Sequence, residues 1–375
     1  MLKWITLASF SFSFSFSFCF SVHATAPGNF SGVRTELEKI SSRDLVATLN
    51  NFIRPSLPSR MVGQPGHESA QKFIEFTIRE SDSKSSGTVA TLSFKPDLEE
   101  GKNFYQRDFD SKVEGKLPKN SPEYNKWLTF TNYLKRLMDS LQNVEAHNIV
   151  WEKAGLNPQK VLVVSAHYDT IILDPKTMTM NMKSPMPGAN YNGTGVAIAL
   201  SLIKILSQID LNYTVRVVFL DWQGIGYLGS YQYAKILEAE KKSGKEILGV
   251  VNLEMLGQDS TFLDKNKKTG NMVLYGRQLA SDANWAGKLI QRGEKVGSRV
   301  SFELKANNFE QSDTFRFWER GIPAVTFSQN WEDDFNPKFY QTSQDTPEVL
   351  NHETFYGAYK FIGGSVLSTL LDITR

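Results

Sequence analysis

Val161-Leu162-Val163-Val164-Ser165 is a short run with almost no polar position, and it leads into His167-Tyr168-Asp169. A strand with one wet face alternates polar and apolar residues. A run that is apolar throughout is buried on both faces, as the strands of a parallel sheet are. The pattern recurs downstream. Val215 to Leu220 leads into Asp221-Trp222-Gln223-Gly224, and Ile247 to Leu256 contains Asn252-Leu253-Glu254. Further strands are predicted at Ile149-Val150-Trp151, Met272 to Tyr275, Phe302 to Leu304 and Pro323 to Phe327. Between them, Gly195 to Ile209, Gly226 to Lys242, Asp282 to Gln291 and His352 to Leu371 have the apolar spacing of helices. Strands alternating with helices predict an α/β fold: a mostly parallel central sheet with helices on both faces. Ligands of such sheets bind beyond the carboxyl ends of the strands, so the residues after each strand are the candidate site.

Upstream, residues 27–145 read as a polar, helix-rich region packing on a core of residues 146–375. Val33 to Ile53 and Ser69 to Ile78 have helical spacing, Thr88 to Phe94 alternates like a strand, and Tyr124 to Leu141 is strongly amphipathic. Asp97 to Ser121 reads as a charged loop. No internal repeat is visible.

The first 24 residues read as a secretory signal. Lys3 supplies a positive start, Phe and Ser alternate from Ser9 to Phe18, and small residues at Ala24 and Ala26 offer cleavage after either. Export to the periplasm or the extracellular space is the expectation, with no membrane span after cleavage. The single cysteine, Cys19, lies inside this segment, so the mature chain would lack disulfides and thiolate metal sites. With 42 Lys+Arg against 40 Asp+Glu, net charge gives no reason to expect a nucleic acid partner. Nothing in the pattern specifies an oligomeric state.

Other segments complete the candidate site: Pro187-Gly188-Ala189-Asn190-Tyr191-Asn192-Gly193-Thr194-Gly195 entering a helix, Ser312-Asp313-Thr314, Gly321-Ile322-Pro323-Ala324, and Tyr340-Gln341-Thr342-Ser343-Gln344-Asp345-Thr346-Pro347. In this order, the motifs resemble those of the secreted co-catalytic dizinc aminopeptidases. Relatives of that family include glutaminyl cyclases, glutamate carboxypeptidases and the transferrin-receptor ectodomain. The resemblance runs from about Ser59 to the C-terminus. It is weaker over Arg60, Gly63 and Gly66, strong from Asn148 onward, and implies a three-layer sandwich.

Carried over residue by residue, the resemblance implies a degenerate site. It places His167 at a zinc-ligand position and Asp169 behind it. The bridging aspartate falls at Tyr191, the general-base glutamate at Gln223, its ligand neighbour at Gly224 and the last histidine at Gln341. Glu254 retains an acidic ligand. The resemblance also implies a strained or cis peptide after residue 191.

These replacements remove chemistry. Two divalent ions ~3.5–4 Å apart need a bridging carboxylate to offset their repulsion, and a phenol, normally protonated, is a poor bridge. Gly224 has nothing to ligate with, and a neutral Gln341 amide is a weak zinc donor. Gln223 can orient a water but cannot carry its proton. The expected cofactor is therefore none, or a single zinc on His167 and Glu254. Returning Tyr191→Asp, Gln223→Glu, Gly224→Glu and Gln341→His together is expected to restore zinc binding.

Other residues offer little compensation. His352 opens a helix, His147 sits by a strand, Asp345 reads as a local turn cap, and Asp259 lies just beyond Glu254. Ser230 is not in a nucleophile elbow. The sequence thus points to an exported pseudopeptidase, a scaffold for a peptide or protein ligand, with Trp222, Tyr191 and Trp331 as candidate pocket residues. The alternative is an atypical aminopeptidase working with at most one metal ion.

Overall fold

The structure is a computed structural model describing residues 26–374, apart from 85, 172, 175–178, 181–183, 260–271, 333 and 335–337. The secretory-signal reading of residues 1–24, Cys19 included, lies outside the described residues. Among the described residues, no helix is long and apolar enough to cross a membrane.

Chain order is α1 (Phe30–Leu37), α2 (Ser42–Ile53), α3 (Pro65–Ser81), β1 (Thr88–Phe94), α4 (Leu98–Lys112), α5 (Pro122–Ser140), β2 (Ala146–Lys153) and β3 (Asn157–His167). After a short ladder of β4 (Leu173–Asp174) with β5 (Thr179–Met180) come α6 (Thr194–Leu206), β6 (Tyr213–Leu220), α7 (Leu228–Lys242) and β7 (Glu246–Leu253). Then follow β8 (Met272–Gly276), α8 (Ala280–Lys295), β9 (Glu303–Ala306), α9 (Thr314–Trp318), β10 (Ala324–Gln329) and α10 (His352–Leu370).

Among the described residues, eight strands form one sheet in the order β1-β2-β6-β3-β7-β10-β8-β9. Its centre, β6-β3-β7-β10, is parallel. Antiparallel pairs stand on both flanks, β1 with β2 and β2 with β6 on one side and β10 with β8 on the other. The apolar runs behave as strands buried on two faces. Leu162, Val164 and Ala166 point into a core shared with α1, α2, α3, α6, α8 and α10, while Val161 and Val163 point toward α7 and α9. A third apolar cluster caps the carboxyl end of the sheet. It joins Tyr105 of α4 and Leu134 and Met138 of α5 to Ile171, Tyr191, Trp222 and Met255.

Two local expectations change. The helical stretch Val33 to Ile53 is two helices, broken where Ser41 and Asp44 form a reciprocal capping box at the start of α2. Within Asp97 to Ser121, the charged segment read as a loop contains α4. Asp97 caps its start by accepting from the Glu100 amide, and its charges fall into pairs such as Lys102–Glu99 and Lys112–Asp108. Its buried stripe of Gly101, Tyr105 and Phe109 repeats at every fourth residue, too narrow to register against the surrounding charge.

Candidate functional site

β3, β6 and β7 are neighbours and run parallel, so their carboxyl ends open on the same rim. His167 ends β3, Gln223 follows β6 by three residues, and Glu254 follows β7 directly. Chain order reverses at β3, with β6 on one side and β7 on the other, which is where open α/β sheets form a crevice.

Tyr191 reaches this crevice from the loop before α6, and that loop is gripped from two sides. The wholly buried Arg60 guanidinium donates to the carbonyls of Tyr168 (2.8 Å), Pro187 (2.5 Å) and Gly188 (2.9 Å). The Asp345 carboxylate accepts from the backbone amides of Asn190 (2.8 Å) and Tyr191 (2.9 Å). Asp345 is therefore a cap for a distant loop, not for its own turn. Burial pulls the Arg60 pKa down to about 10 and pushes Asp345 up to about 6 against its two amide bonds. Asn192 continues the fastening by donating to Leu253 O (2.8 Å) and accepting from Met255 N (3.1 Å). The Tyr191–Asn192 peptide is cis, where the resemblance placed a strained or cis bond.

The side chains brought together are His167, Asp169, Tyr191, Gln223 and Glu254, all buried. The rings of His167 and Tyr191 lie 4.9 Å apart. The Tyr191 hydroxyl donates to Gln223 Oε1 (2.5 Å), and Gln223 Nε2 donates to Glu254 Oε1 (3.3 Å). Glu254 Oε1 stands 3.9 Å from His167 Nε2. Asp169 accepts from the backbone amides of Gln223 and Gly224, both at 3.0 Å, and so fixes the turn after β6. Burial favours a neutral His167, but Asp169, with Glu254 and Asp313 beyond, outweighs it and raises its pKa. Burial drives Glu254 up to about 8, with Asp313 adding to the push. The same burial holds the Tyr191 phenol far above its ordinary value, so it stays protonated.

Gln341 is at the rim, where its Nε2 donates to the Tyr340 hydroxyl (2.9 Å), and the Tyr340 ring meets that of Tyr191 edge-on at 5.2 Å. Gly224 is covered. A Cβ there would fall 2.2 Å from Ile171 Cγ2, so the room a ligand side chain would need belongs to a buried isoleucine. Restoration by four substitutions is thus corrected: Gly224→Glu collides with Ile171. Trp222, a candidate pocket residue, is fully buried in the capping cluster. Trp331 is partly buried and lines an open cavity. Asp259 is near Thr354 of α10 (3.4 Å). His147 lies within β2, its amide donating to Asp221 (2.9 Å), and His352 is exposed at the start of α10. The Ser230 hydroxyl donates to Tyr227 O (3.1 Å).

One residue of the site, Ile171, escaped the sequence reading, and another, Asp313, was placed there without a role. Ile171 carries no polar signal. Asp313, in the Ser312-Asp313-Thr314 segment, is fully buried with neither carboxylate oxygen in a hydrogen bond, and burial raises its pKa to about 6. The sequence places Asp313 at the site but assigns it no role, because its burial and lack of hydrogen-bond partners come from distant parts of the chain.

Chain and site now define a class. The model of peptidase family M28 matches residues 148–362, more than half of the chain, and this chain belongs to that family. No curated protein sequence matches it. Among solved structures, the Legionella pneumophila LapA aminopeptidase is 16% identical with a TM-score of 0.62, over 91% of this chain and 75% of that one. The aminopeptidase of Aneurinibacillus sp. strain AM-1 is 16% identical with a TM-score of 0.60, over 90% and 95%. The Bacteroides thetaiotaomicron glutaminyl cyclase is 16% identical with a TM-score of 0.59, over 89% and 99%. These likenesses establish the zinc-aminopeptidase-like α/β fold.

The fold implies zinc, and the residues present do not fit a pair of ions. Tyr191 and Gln223 are spent on each other, and Ile171 fills the space beside Gly224. Among the described residues, no three His, Cys, Asp or Glu side chains converge as a metal-holding group. His167 Nε2 and Glu254 Oε2 are left without hydrogen-bond partners. They are two donors where a closed zinc site uses four.

Proposed function

We propose that this chain is an exported pseudopeptidase: an M28 scaffold that binds a peptide or protein ligand without hydrolysing it. The observation that carries the reading is the 2.5 Å bond from the Tyr191 hydroxyl to Gln223 Oε1. The group at the bridging position and the group at the general-base position are both neutral, and each satisfies the other. A general base must accept a proton from water and return it to the leaving amine. An amide already holding a phenol does neither. The aminopeptidase-like fold supports a binding surface at the carboxyl rim of the sheet, and the segment at residues 1–24 supports export to the periplasm or beyond.

The test is elemental analysis of the purified mature protein together with an aminoacyl-amide hydrolysis assay. The expected result is a folded protein without stoichiometric zinc and without turnover. The unpartnered His167 Nε2 and Glu254 Oε2 favour the second reading, an atypical aminopeptidase using one ion. Stoichiometric zinc with turnover abolished by His167→Ala would establish that reading and remove the first.

A further inference from the structure

A file of aromatic rings leads outward from the buried site. Tyr191 meets Tyr340, Tyr340 meets Trp331 edge-on at 5.1 Å, and Trp331 meets Phe309 at 5.5 Å with the planes tilted by 43°. The last two rings line an open cavity of about 510 Å3, within the range of small-molecule sites. We propose that this cavity binds a neutral saccharide, a ligand class beyond the pseudopeptidase reading; it shares Trp331 with the candidate pocket of that reading but none of the positions on which the loss of hydrolysis rests.

The aromatic floor is held in place from below. Phe309 stacks on Tyr275 of β8 with centroids 4.4 Å apart and planes at 24°. The Trp331 backbone amide donates to the Tyr275 hydroxyl (2.8 Å), and its indole Nε1 donates to Ser328 Oγ of β10 (2.9 Å). Rings fixed in this way meet a ligand without losing rotamer freedom on binding.

The walls are built from primary amides and carboxylates. Asn307 Nδ2 donates to Glu332 Oε1 (2.9 Å), Lys305 Nζ donates to Glu332 Oε2 (2.9 Å), and Asn308 Oδ1 accepts from the Gln278 amide (2.7 Å). Gln311 and Glu310 are exposed on the rim. An amide presents donors and an acceptor side by side, which suits hydroxyls that also do both.

Charge decides against an ionic ligand. Of the two lining carboxylates, Glu332 is already met by Lys305, and the one lining cation, Lys112 of α4, is paired with Asp108, which leaves Glu310 as a single exposed carboxylate. With both neighbouring cations already paired, an anion gains nothing, and a cation finds one exposed carboxylate where tight binding needs a pair. A purely apolar ligand would strip water from the amides without replacing it. What remains is a molecule with an apolar C–H face for Trp331 and Phe309 and an equatorial belt of hydroxyls for Asn307, Asn308 and Gln311. A pyranose ring has both.

The experiment is saturation-transfer NMR on the full mature protein with maltose, cellobiose and N,N′-diacetylchitobiose, with trialanine and tetramethylammonium as the peptide and cation probes. At least one disaccharide is expected to bind with a Kd between about 10 μM and 10 mM. Trp331→Ala is expected to weaken it at least tenfold and Trp331→Phe by less. The double variant Asn307→Ala/Gln311→Ala, at exposed positions, is expected to weaken it several-fold and covers the case in which Trp331→Ala fails to fold. The proposal is overturned if no disaccharide binds, if the disaccharide binds the Trp331→Ala or the Asn307→Ala/Gln311→Ala protein as tightly as the wild type, or if only trialanine or tetramethylammonium binds. A zinc-free, inert protein that binds no disaccharide would end this proposal alone. A zinc-dependent hydrolase that binds one would end the pseudopeptidase reading alone.

Discussion

Ile171 Cγ2 occupies the space beside Gly224 so fully that a Cβ on the glycine would lie 2.2 Å from it. A longer side chain at position 224 therefore requires a smaller one at position 171. The quadruple variant Tyr191→Asp/Gln223→Glu/Gly224→Glu/Gln341→His is expected to fold poorly or to take up no zinc. Adding Ile171→Ala, which removes the colliding methyl, is expected to give metal uptake measurable by calorimetry. A fivefold variant that folds and binds no zinc would show that the positions are mapped wrongly.

The chain of donors from Tyr191 through Gln223 to Glu254 has an energetic signature. Tyr191→Phe leaves the buried Gln223 oxygen unpaired and is expected to cost about 1–3 kcal/mol. Combining it with Gln223→Met, which removes the stranded acceptor, is expected to cost less than the two single changes added together. Urea denaturation of the four proteins reads the coupling directly. Strict additivity would mean that the bond is absent in solution.

Arg60 is fully buried and donates to the carbonyls of Tyr168, Pro187 and Gly188, the last of which also accepts from the Gly193 amide (3.0 Å). Arg60→Met is expected to destabilise the protein by about 3–5 kcal/mol, since it strands the Tyr168 and Pro187 carbonyls and leaves Asp345 without its nearby cation. Arg60→Lys is expected to recover little, because a single ammonium cannot span the acceptors that the guanidinium fork reaches. Chemical denaturation checks both.

Asp313 gives a pH dependence whose sign is fixed. Its pKa in the folded protein is raised by burial to about 6, above the ordinary aspartate range. Between about pH 4 and 6 the native state keeps a proton that the unfolded chain has released, so this residue's contribution to stability declines as pH rises through that window. Asp313→Asn cannot ionise. Relative to wild type, its stability is expected to improve by about 1–3 kcal/mol between pH 4 and pH 8, measured by urea denaturation at both. An unchanged difference would mean that the pull of His167 and Arg316 on the carboxylate outweighs its burial.

The central strands were legible because double-sided burial writes itself as uninterrupted Val, Leu and Ile, and Thr88–Phe94 was legible by alternation. The rim residues His167, Tyr191, Gln223 and Glu254 could be placed together because each lies at or just beyond a strand end or at a helix entrance, in motifs whose order resembles the family's. What escaped shares a different physics. α4 was hidden because three residues of a narrow stripe carry its burial while its charges pair along its own surface. Asp345 reads as a turn residue because its partners lie 154 and 155 positions away in the chain. Ile171 and Asp313 act through the space they fill and the company they lack, and neither leaves a local pattern.

The two-sided grip of Arg60 and Asp345 touches only main-chain atoms of residues 187–191. Whatever side chain stands at position 191 is presented in the same place, since the hold does not depend on it. A scaffold fastened in this manner can lose a reaction one substitution at a time and never lose its shape. Its rim can take a different side chain while the architecture beneath stays as it is.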